Sequence, residues 1–429
     1  MTETLLHKRA RLLGPNMPTF YEEPVHLVQG EGVWLTDANG RRYLDCYNNV
    51  PHVGHCHPKV VEAICKQAST LNTHTRYLHD GIVDYAERLV ARFDPSLDSV
   101  LMTCTGSEAN DVALRMAQAV TGNTGIIATD FTYHGNTAAV SQLSRTKPPI
   151  GGYQDNVAFV PAPDSYRPLG GKPGMAHALA FAAEVEARIA ELEQKGHGLS
   201  ALVVCPFFAN EGFPDLPHGW LIPAIDAVRN AGGLIIADEV QPGFGRLGSH
   251  FWGSDRMGFV PDIATIGKPM ANGHPVGAVI TGAETMGTFR NAFGYFNTFG
   301  GNPVSMAACL ATLDVIEEEG LQENANQVGS YAKSCLQDLS SQHACIGDVR
   351  GAGLFFGAEM VLDQDTKTPA TEFTKRVANG MRQRGVLLNF LGRYGNVLKM
   401  RPPMVFSREN VDQMIEALDT VLAETPLTT

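Results

Sequence analysis

The chain has 429 residues, of which 44% are hydrophobic, and this length supports a large core divided into two or three subdomains. A formal charge of −12 without a basic run excludes a general nucleic-acid surface, and no stretch of apolar residues is long enough to predict a membrane span. The eight cysteines lack framework spacing and residues 1–14 lack an apolar signal core, so we expect reduced thiols in a cytoplasmic protein.

Residues 1–57 are predicted to form the N-terminal part of a small domain. Within this part, the segments 33–36 and 42–45 flank an Asn39-Gly40 pair. Apolar alternation on both sides of Asn-Gly is typical of a β-hairpin, which we therefore predict here.

From residue 58 to residue 319, helical stretches alternate with short, continuously apolar runs. This alternation predicts a large domain with a mostly parallel sheet covered by helices on both faces. Residues 148–173, rich in Pro and Gly, are expected to form the longest loop. The predicted helices are 58–70, 81–93, 106–120, 178–195, 219–231 and 302–318, and the predicted strands are 99–103, 125–129, 201–204, 234–238, 262–266 and 276–281.

The segment 105–110 follows the strand at 99–103 and opens a helix. A helix N-terminus offers free N–H groups and a positive dipole end, which bind a phosphate well. Gly106 and Ser107 are therefore candidate phosphate ligands, and Ser107 adds a hydroxyl. Simple N-capping by Ser107 is the alternative interpretation.

Two further strand ends carry candidate cofactor ligands. Tyr133 lies just past the strand at 125–129, where its ring can stack on a planar group, although a core tyrosine beside a turn is the alternative. Asp238 ends an apolar run, and a buried carboxylate is rare unless it has a partner. If the planar group is a nitrogen-containing ring with a hydroxyl, we predict that Asp238 binds the ring nitrogen, that Val240 packs on the ring face and that Gln241 hydrogen-bonds the ring hydroxyl.

Lys268 follows the apolar run 262–266 and lies 30 positions after Asp238 (268 − 238 = 30). Its amine can form a Schiff base with an aldehyde cofactor, and Asp238 can keep the ring nitrogen of that cofactor protonated. The pair predicts a pyridoxal 5'-phosphate (PLP) enzyme in which Lys268 and Asp238 are catalytic. Thr298 lies another 30 positions on (298 − 268 = 30) and is a candidate second phosphate ligand.

Two other patterns are not interpreted as sites. The G-x-G-x-x-G pattern at 243–248 precedes a poor helix start, so we expect no nicotinamide site. The His and Cys residues at 52–57 lie too close in sequence to converge on one ion, and no pair with zinc spacing follows. We therefore expect a polar loop and no metal.

Residues 320–429 change to a helix, a strand pair, a helix, two strands and a final helix. This order predicts an α+β C-terminal part of the small domain. The glycine-rich segment 347–357 is expected to open the strand pair, and 386–389 and 397–400 are the further strands.

Nearly the whole chain resembles the class III (ω-type) aminotransferases, a family of fold type I PLP enzymes. The resemblance implies an α/β fold, with a large domain on a mostly parallel seven-stranded sheet and a small α+β domain. It also implies that Lys268 holds PLP covalently, and that Thr298 reaches the cofactor phosphate of the neighbouring subunit in a homodimer. The motifs are G-S-E-A-N at 106–110, Y-H-G at 133–135, D-E-V-Q-P-G-F-G-R at 238–246, G-K-P at 267–269 and N-T-F-G-G-N-P at 297–303.

Within this family, the likeness is narrower to the phospho-lyase branch, which includes ethanolamine-phosphate phospho-lyase and 5-phosphohydroxy-lysine phospho-lyase. The segments that carry this likeness are 44–58, 71–80, 267–275 and 396–399. The branch implies β-elimination of phosphate from a phosphorylated amine. Asn49, Arg76 and Arg401 are the candidate substrate ligands, and a surface charge is the alternative for Arg76.

One departure from the aminotransferase pattern bears on the reaction. Cys205 stands where aminotransferases usually carry a Glu that pairs with the arginine of the substrate carboxylate, which here is Arg401. Without that Glu, Arg401 is free for a carboxylate or a phosphate. Glu211 lies six residues on and can substitute for it.

Three functions are open. The first is a phospho-lyase acting on a substrate such as O-phosphoethanolamine. The second is a class III ω-aminotransferase that transfers an amino group from an ω-amine to pyruvate, glyoxylate or another keto acid. In both, Lys268 removes the Cα proton. The third is a scaffold without cofactor, against which the presence of both Lys268 and Asp238 speaks.

Overall fold

The computed structural model describes residues 4–14, 17–144 and 148–428. The predicted domain parts 1–57, 58–319 and 320–429 also cover residues 1–3, 15, 16, 145–147 and 429, which lie outside the described residues. Within the described ranges, no helix combines the length and the apolar composition that a membrane crossing requires.

Helices and strands alternate along the middle part of the sequence. The helices are α1 (Leu5–Leu13), α2 (Pro58–Ala68), α3 (Asp80–Val90), α4 (Gly106–Thr121), α5 (Met175–Gln194), α6 (Ile222–Asn230), α7 (Gly253–Met257), α8 (Ala283–Ala292), α9 (Pro303–Glu318), α10 (Leu321–Gln342), α11 (Thr371–Gln383) and α12 (Arg408–Glu424). The strands are β1 (Leu27–Glu31), β2 (Trp34–Asp37), β3 (Arg42–Asp45), β4 (Ser99–Thr103), β5 (Gly125–Thr129), β6 (Val157–Val160), β7 (Leu199–Val204), β8 (Leu234–Asp238), β9 (Ile263–Ile266), β10 (Gly277–Thr281), β11 (Ile346–Ala352), β12 (Phe355–Asp363), β13 (Thr368–Pro369), β14 (Val386–Leu387), β15 (Asn389–Leu391) and β16 (Val397–Met400).

A seven-stranded sheet with the order β4-β10-β9-β8-β7-β5-β6 forms the centre of the fold. Only β10 runs against its neighbours in this sheet, and the other pairs are parallel. Ala201 and Val203 of β7 pack in the cluster that contains α4, whereas Leu202 and Val204 pack in the cluster that contains α5 and α6. Both faces are buried, which is why these strands read as continuous apolar runs.

The predicted helices and strands of this region are all present, with ends displaced by three residues at most. The loop prediction for 148–173 is wrong at Val157–Val160, which form β6 at the sheet edge beside β5. The apolar run is only four residues long and lies between segments rich in Pro and Gly, so its sequence does not predict a strand. The sequence also does not predict α8, in which Phe289 is the buried residue, so that no apolar stripe marks the helix.

Two smaller sheets lie beside the central one. β14 pairs in parallel with β3, so residues from both ends of the chain share the sheet β1-β2-β3-β14. The predicted hairpin is confirmed, because β2 pairs with β3 in antiparallel fashion around Asn39 and Gly40. The second sheet has the order β11-β12-β16-β15 and packs against α10, and its strand β16 leads directly into Arg401.

Candidate active site

The carboxyl ends of β4, β5, β7, β8 and β9 lie along one edge of the central sheet, because these five strands run in the same direction. A cavity of about 280 Å³ opens at this edge. Each strand end contributes to its lining, as expected for an α/β sheet. One lining residue from each of these ends is Ser107, Tyr133, Cys205, Asp238 and Lys268.

Lys268 begins a 3-10 turn directly after β9 and lines the cavity. Burial lowers the pKa of its amine, and the positive charge of Arg401 lowers this pKa further, whereas Asp238 acts in the opposite direction. A lowered pKa favours the neutral amine, which is the form that attacks an aldehyde.

Asp238 is buried at the end of β8, and donors hold both of its carboxylate oxygens. Oδ1 accepts the N–H of Val240 at 3.0 Å, and Oδ2 accepts Nδ2 of Asn110 at 3.0 Å. Oδ2 also lies 2.7 Å from Nδ1 of His134, which donates because an ionised carboxylate only accepts. These bonds fix the orientation of the carboxylate in the cavity wall.

The two side chains that hold Asp238 are themselves fixed. Oδ1 of Asn110 accepts the hydroxyl of Thr265 at 2.6 Å, and Nδ2 of Asn110 also donates to the carbonyl of His134 at 2.7 Å. The hydroxyl of Thr132 lies 3.1 Å from Nε2 of His134. The sequence analysis assigns no role to Asn110 or His134, although the G-S-E-A-N and Y-H-G motifs contain them. A buried polar residue inside such a motif is the signal that would have identified them.

The N-terminus of α4 lies against the cavity. Thr105 is the N-cap, since its hydroxyl accepts the N–H of Glu108 at 3.1 Å, so Ser107 is not needed for capping. Oγ of Ser107 instead accepts the N–H of Asn136 at 3.1 Å. A Cβ added at Gly135 would lie 2.6 Å from this Oγ, so the loop approaches Ser107 as closely as a glycine allows.

The cavity has the features that PLP requires. Gly106 approaches Val240 so closely that a Cβ on the glycine would lie 3.0 Å from the valine methyl, so the start of α4 packs directly against the residue that follows β8 by two positions. Tyr133 and Gln241 line the same cleft. The residues that would hold PLP are Lys268 at the aldehyde, Asp238 at the ring nitrogen, and Gly106 and Ser107 at the phosphate.

Lys399 and Arg401 form a buried basic pair beside the cavity, and Gln241 connects them to it. Oε1 of Gln241 accepts Nζ of Lys399 at 3.2 Å and also accepts the guanidinium of Arg401. Lys399 further donates to the carbonyl of Ala209 at 3.0 Å, and Arg401 donates to the carbonyl of Tyr47 at 3.1 Å. Burial lowers the pKa of both basic groups, and the charge of Arg401 lowers the pKa of Lys399 further.

Lys399 is a site residue that the sequence motifs do not predict. Lys399 and Arg401 are two positions apart, and side chains at this spacing point to the same face of a strand. The K-x-R pattern at the end of β16 is therefore a signal that could have found the pair.

Cys205 lines the cavity, whereas Glu211 is engaged elsewhere. Burial raises the pKa of the Cys205 thiol well above its usual range, so this position contributes no negative charge. Oε1 of Glu211 accepts the hydroxyl of Thr129 at 2.6 Å, and its other oxygen accepts the N–H of Asn210 at 3.1 Å. The carboxylate thus binds uncharged donors on the β5 side of the site rather than Arg401.

The remaining candidate residues lie apart from the cavity of the same chain. Arg76 is exposed, and its guanidinium lies 4.0 Å from the centre of the Phe296 ring. Thr298 is exposed as well. Asn49 is 2% exposed, and its Nδ2 has no hydrogen-bond partner among the described residues, while the adjacent Val50 lines the cavity. The structure therefore brings Gly106, Ser107, Tyr133, Asp238, Val240, Gln241 and Lys268 together, but neither Arg76 nor Thr298.

The two rejected patterns have other structural explanations. Nε2 of His52 lies 2.8 Å from the carbonyl of Phe244, and Nε2 of His55 lies 2.7 Å from Oδ2 of Asp45, so neighbouring rings face different partners. The segment 243–248 forms turns, and no helix opens there.

An α/β sheet whose strand ends present a buried lysine, a fixed carboxylate and a helix N-terminus defines a PLP-binding enzyme of fold type I. The model of the family described as "Aminotransferase class-III" matches residues 19–422. The chain belongs to this family, whose enzymes use PLP.

Individual relatives carry two kinds of name. A Drosophila melanogaster protein named "Alanine--glyoxylate aminotransferase 2-like" is 41% identical over 99% of this chain and 88% of its own. A Caenorhabditis elegans protein named "Ethanolamine-phosphate phospho-lyase homolog 1" is 37% identical over 98% and 93%. A solved phospholyase from Arthrobacter in complex with phosphoethanolamine is 44% identical, with a TM-score of 0.95 over 99% of this chain and 100% of its own.

Proposed function

We propose that this PLP enzyme is a phospho-lyase that eliminates phosphate from a phosphorylated amine such as O-phosphoethanolamine. The observation that carries the proposal is the buried pair of Lys399 and Arg401 beside the cavity. Their hydrogen bonds go to the uncharged oxygens of Ala209, Tyr47 and Gln241 rather than to a carboxylate.

Two adjacent buried basic groups call for an anion. Removing a charge from water costs several kcal/mol in a protein unless an opposite charge compensates it. A phosphate monoester carries nearly two negative charges at neutral pH, and its oxygens match the donors of an arginine and a lysine. A substrate with an unmodified amine chain would leave the pair uncompensated, so the phosphorylated amine fits this site better.

Cys205 supports the same substrate. A carboxylate at this position would lie in the cavity wall next to the basic pair and compete with a bound anion. The neutral thiol leaves Arg401 available, and Glu211 is occupied by Thr129 and Asn210. The likeness to the Arthrobacter phospholyase solved with phosphoethanolamine supports the proposal independently.

The residues of the chain divide the reaction between them. Bound PLP supplies an electron sink for the charge that develops at the substrate Cα. Nζ of Lys268 takes the Cα proton as general base, and Asp238, held by His134 and Asn110, keeps a proton on the ring nitrogen.

Lys399 and Arg401 bind the phosphate and orient the bond between Cβ and the phosphate oxygen. When that bond breaks, its electron pair leaves with the phosphate. Water then supplies the oxygen of the aldehyde and the amino group leaves as ammonia, so one phosphorylated amine and one water give aldehyde, ammonia and phosphate.

An ω-aminotransferase is the second candidate. The name of the Drosophila relative favours this reaction. Here Lys268 would return the proton that it has taken, and the amino group would be carried by PLP to pyruvate, glyoxylate or another keto acid. The ω-amine would leave as an aldehyde or ketone. Arg401 would then bind the carboxylate of the keto acid.

Incubation of the holoenzyme with O-phosphoethanolamine, in the absence of any keto acid, separates the two reactions. We expect stoichiometric release of inorganic phosphate, aldehyde and ammonia, and no release by Lys268→Ala. Turnover that depends strictly on pyruvate or glyoxylate, without phosphate release, would contradict the phospho-lyase and support the aminotransferase.

We also propose that the enzyme acts as a homodimer. Four large apolar side chains are exposed in the same region as Arg76. They are Tyr77, Leu78, Phe296 and Phe299, and we call them the aromatic face. Exposed apolar patches of this kind are typical of protein interfaces. His74 links two of them, since its ring lies 5.1 Å from that of Tyr77 and 5.9 Å from that of Phe296. A second copy on this face would bring Thr298 and Arg76 to the partner's cavity.

A further inference from the structure

We propose that the substrate phosphate strengthens the catalytic base: once bound to Lys399 and Arg401, it raises the proton affinity of Lys268. This inference rests on the proposed phospho-lyase function and extends it to selectivity. A phosphorylated amine would activate the base that attacks it, whereas an amine without phosphate would meet a weaker base.

The geometry places the phosphate-binding pair and the base in one electrostatic environment. Gln241 lines the cavity together with Lys268, and its Oε1 binds both Lys399 and Arg401. One side chain therefore separates the basic pair from the cavity. The influence of Arg401 on Lys268 agrees with this arrangement, because the arginine charge is the main cause, after burial, of the lowered pKa of the lysine.

The positive charge of the basic pair is compensated in part, because Asp45 acts to raise the pKa of Arg401 and Glu211 acts to raise that of Lys399, but burial outweighs both and the pKa of each basic group remains lowered. Several further titratable groups face the cavity itself. Asp238 is the carboxylate among them, and its Oδ2 is bound by His134 and Asn110. The remaining groups are Cys104 and Cys205, whose thiol pKa values are raised by burial, His274, whose pKa is lowered by burial and whose Nε2 binds Ser305, and Tyr133.

A dianion on the basic pair changes this balance. It cancels the repulsion that Arg401 exerts on a proton at Nζ of Lys268, and an anion close to a basic group favours the charged form. In the reaction, Nζ must accept the Cα proton, so a higher proton affinity lowers the barrier to proton transfer. The discrimination between substrates would therefore reside in kcat as well as in KM.

The test uses the holoenzyme and inorganic phosphate, with PLP already occupying the cofactor phosphate site. Lys268 is the residue that would hold PLP, so the pH midpoint of the cofactor absorbance reports the electrostatic environment at Nζ, and the same environment acts on the free amine. We expect phosphate to raise the midpoint by about one pH unit, the effect of a nearby opposite charge. Calorimetry on the same samples measures whether phosphate binds.

Two variants locate the effect. Arg401→Gln should raise the midpoint in the absence of phosphate, and added phosphate should then move it less than in the wild type. Arg188→Gln is the matched control, because Arg188 pairs with Glu191 on a partly exposed side of α5 outside the cavity, and it should titrate like the wild type. The comparison of the wild type with and without phosphate needs no variant.

The outcomes separate this inference from the proposed function. If phosphate binds and O-phosphoethanolamine releases phosphate, but the midpoint does not move, the inference is wrong and the phospho-lyase stands. If phosphate neither binds nor is released from the substrate, both are wrong. A midpoint that rises equally in Arg401→Gln would also overturn the inference, because the shift would then not depend on the basic pair.

Discussion

Nδ1 of His134 and Oδ2 of Asp238 lie 2.7 Å apart in the interior of the protein, and both side chains are buried. The imidazole holds the carboxylate in the orientation in which it can contact the cofactor ring. Because Nδ1 donates this bond, the histidine acts through Asp238 and is a positioning residue.

We expect His134→Phe to weaken PLP binding roughly tenfold to a hundredfold, since a buried group that loses a charge-assisted hydrogen bond is destabilised by about 1–3 kcal/mol. The dissociation constant of PLP, measured from the cofactor absorbance, checks this prediction. His343→Phe is the control, because His343 forms a similar 2.6 Å contact with Asp419 in the C-terminal part of the chain, and neither residue lines the cavity. Unchanged PLP affinity in His134→Phe would contradict the positioning role.

The second prediction concerns the site of covalent attachment. Lys268 and Lys399 are both largely buried lysines with lowered pKa values, but only Lys268 lines the cavity. Borohydride reduction followed by peptide mapping should place the label on Lys268. Lys268→Ala should lose the label and Lys399→Met should keep it. A label on Lys399 would require a different site.

The third prediction concerns substrate phosphate binding. Lys399→Met and Arg401→Gln should each lower kcat/KM for O-phosphoethanolamine roughly tenfold to a hundredfold, because a hydrogen bond to a charged group contributes about 1.5–3 kcal/mol. The cofactor absorbance should remain. Lys333→Met is the control, since Lys333 pairs with Asp215 outside the cavity. If both site variants keep the wild-type kcat/KM, the phosphate binds elsewhere.

The fourth prediction concerns the homodimer. Leu78→Asp places a charge on the aromatic face and should shift the protein towards monomer in sedimentation experiments. The monomer should lose PLP more readily, because Thr298 of the second copy would no longer reach the cofactor. Ile150→Asp is the control, because Ile150 is as exposed as Leu78 but lies on a different loop. Dissociation in both variants alike would show a general loss of stability.

The fifth prediction concerns pH and Glu239. This side chain is fully buried and accepts the N–H groups of Gly253 and Ser254 at 2.8 Å and 2.7 Å, yet burial raises its pKa from 4.5 to about 7. Between these two values the folded protein keeps a proton that the unfolded chain has lost. The contribution of Glu239 to stability is therefore complete below about pH 4.5 and disappears as the pH rises to about 7.

At about 1.4 kcal/mol per pKa unit, the loss over this range is roughly 3 kcal/mol. Urea unfolding at several pH values should show a steeper decline of the unfolding free energy with pH for the wild type than for Glu239→Gln. Parallel curves for the two proteins would contradict the raised pKa.

The sequence predicts well which residues meet at the cavity, because each of them stands at a strand end or a helix start. Their roles towards the cofactor stay predictions. Lys268, Asp238 and Ser107 follow apolar runs, and the carboxyl ends of parallel strands must meet at one edge. The direction of β10 could not be predicted, since an apolar run is the same in a parallel and an antiparallel strand.

The contacts that complete the site join residues far apart in sequence. Thr265 binds Asn110 across 155 positions, and Lys399 binds Gln241 across 158. No local pattern encodes such pairs, so the hydrogen-bond network around Asp238 and the basic pair became visible only in the fold. The predictions for Asn49, Arg76 and Thr298 as ligands stay open for a related reason, because a second copy of the chain is needed to test two of them.

The pairing of β14 with β3 has a consequence for synthesis of the chain. Arg401 also donates its backbone N–H to the carbonyl of Cys46. The C-terminal quarter of the chain therefore pairs with a segment that is translated much earlier. A nascent chain that has reached the end of α9 already contains Lys268, Asp238 and the start of α4. The proposed phosphate-binding pair of Lys399 and Arg401 is translated later, so we expect the cofactor side of the cavity to be complete in sequence before its substrate side is.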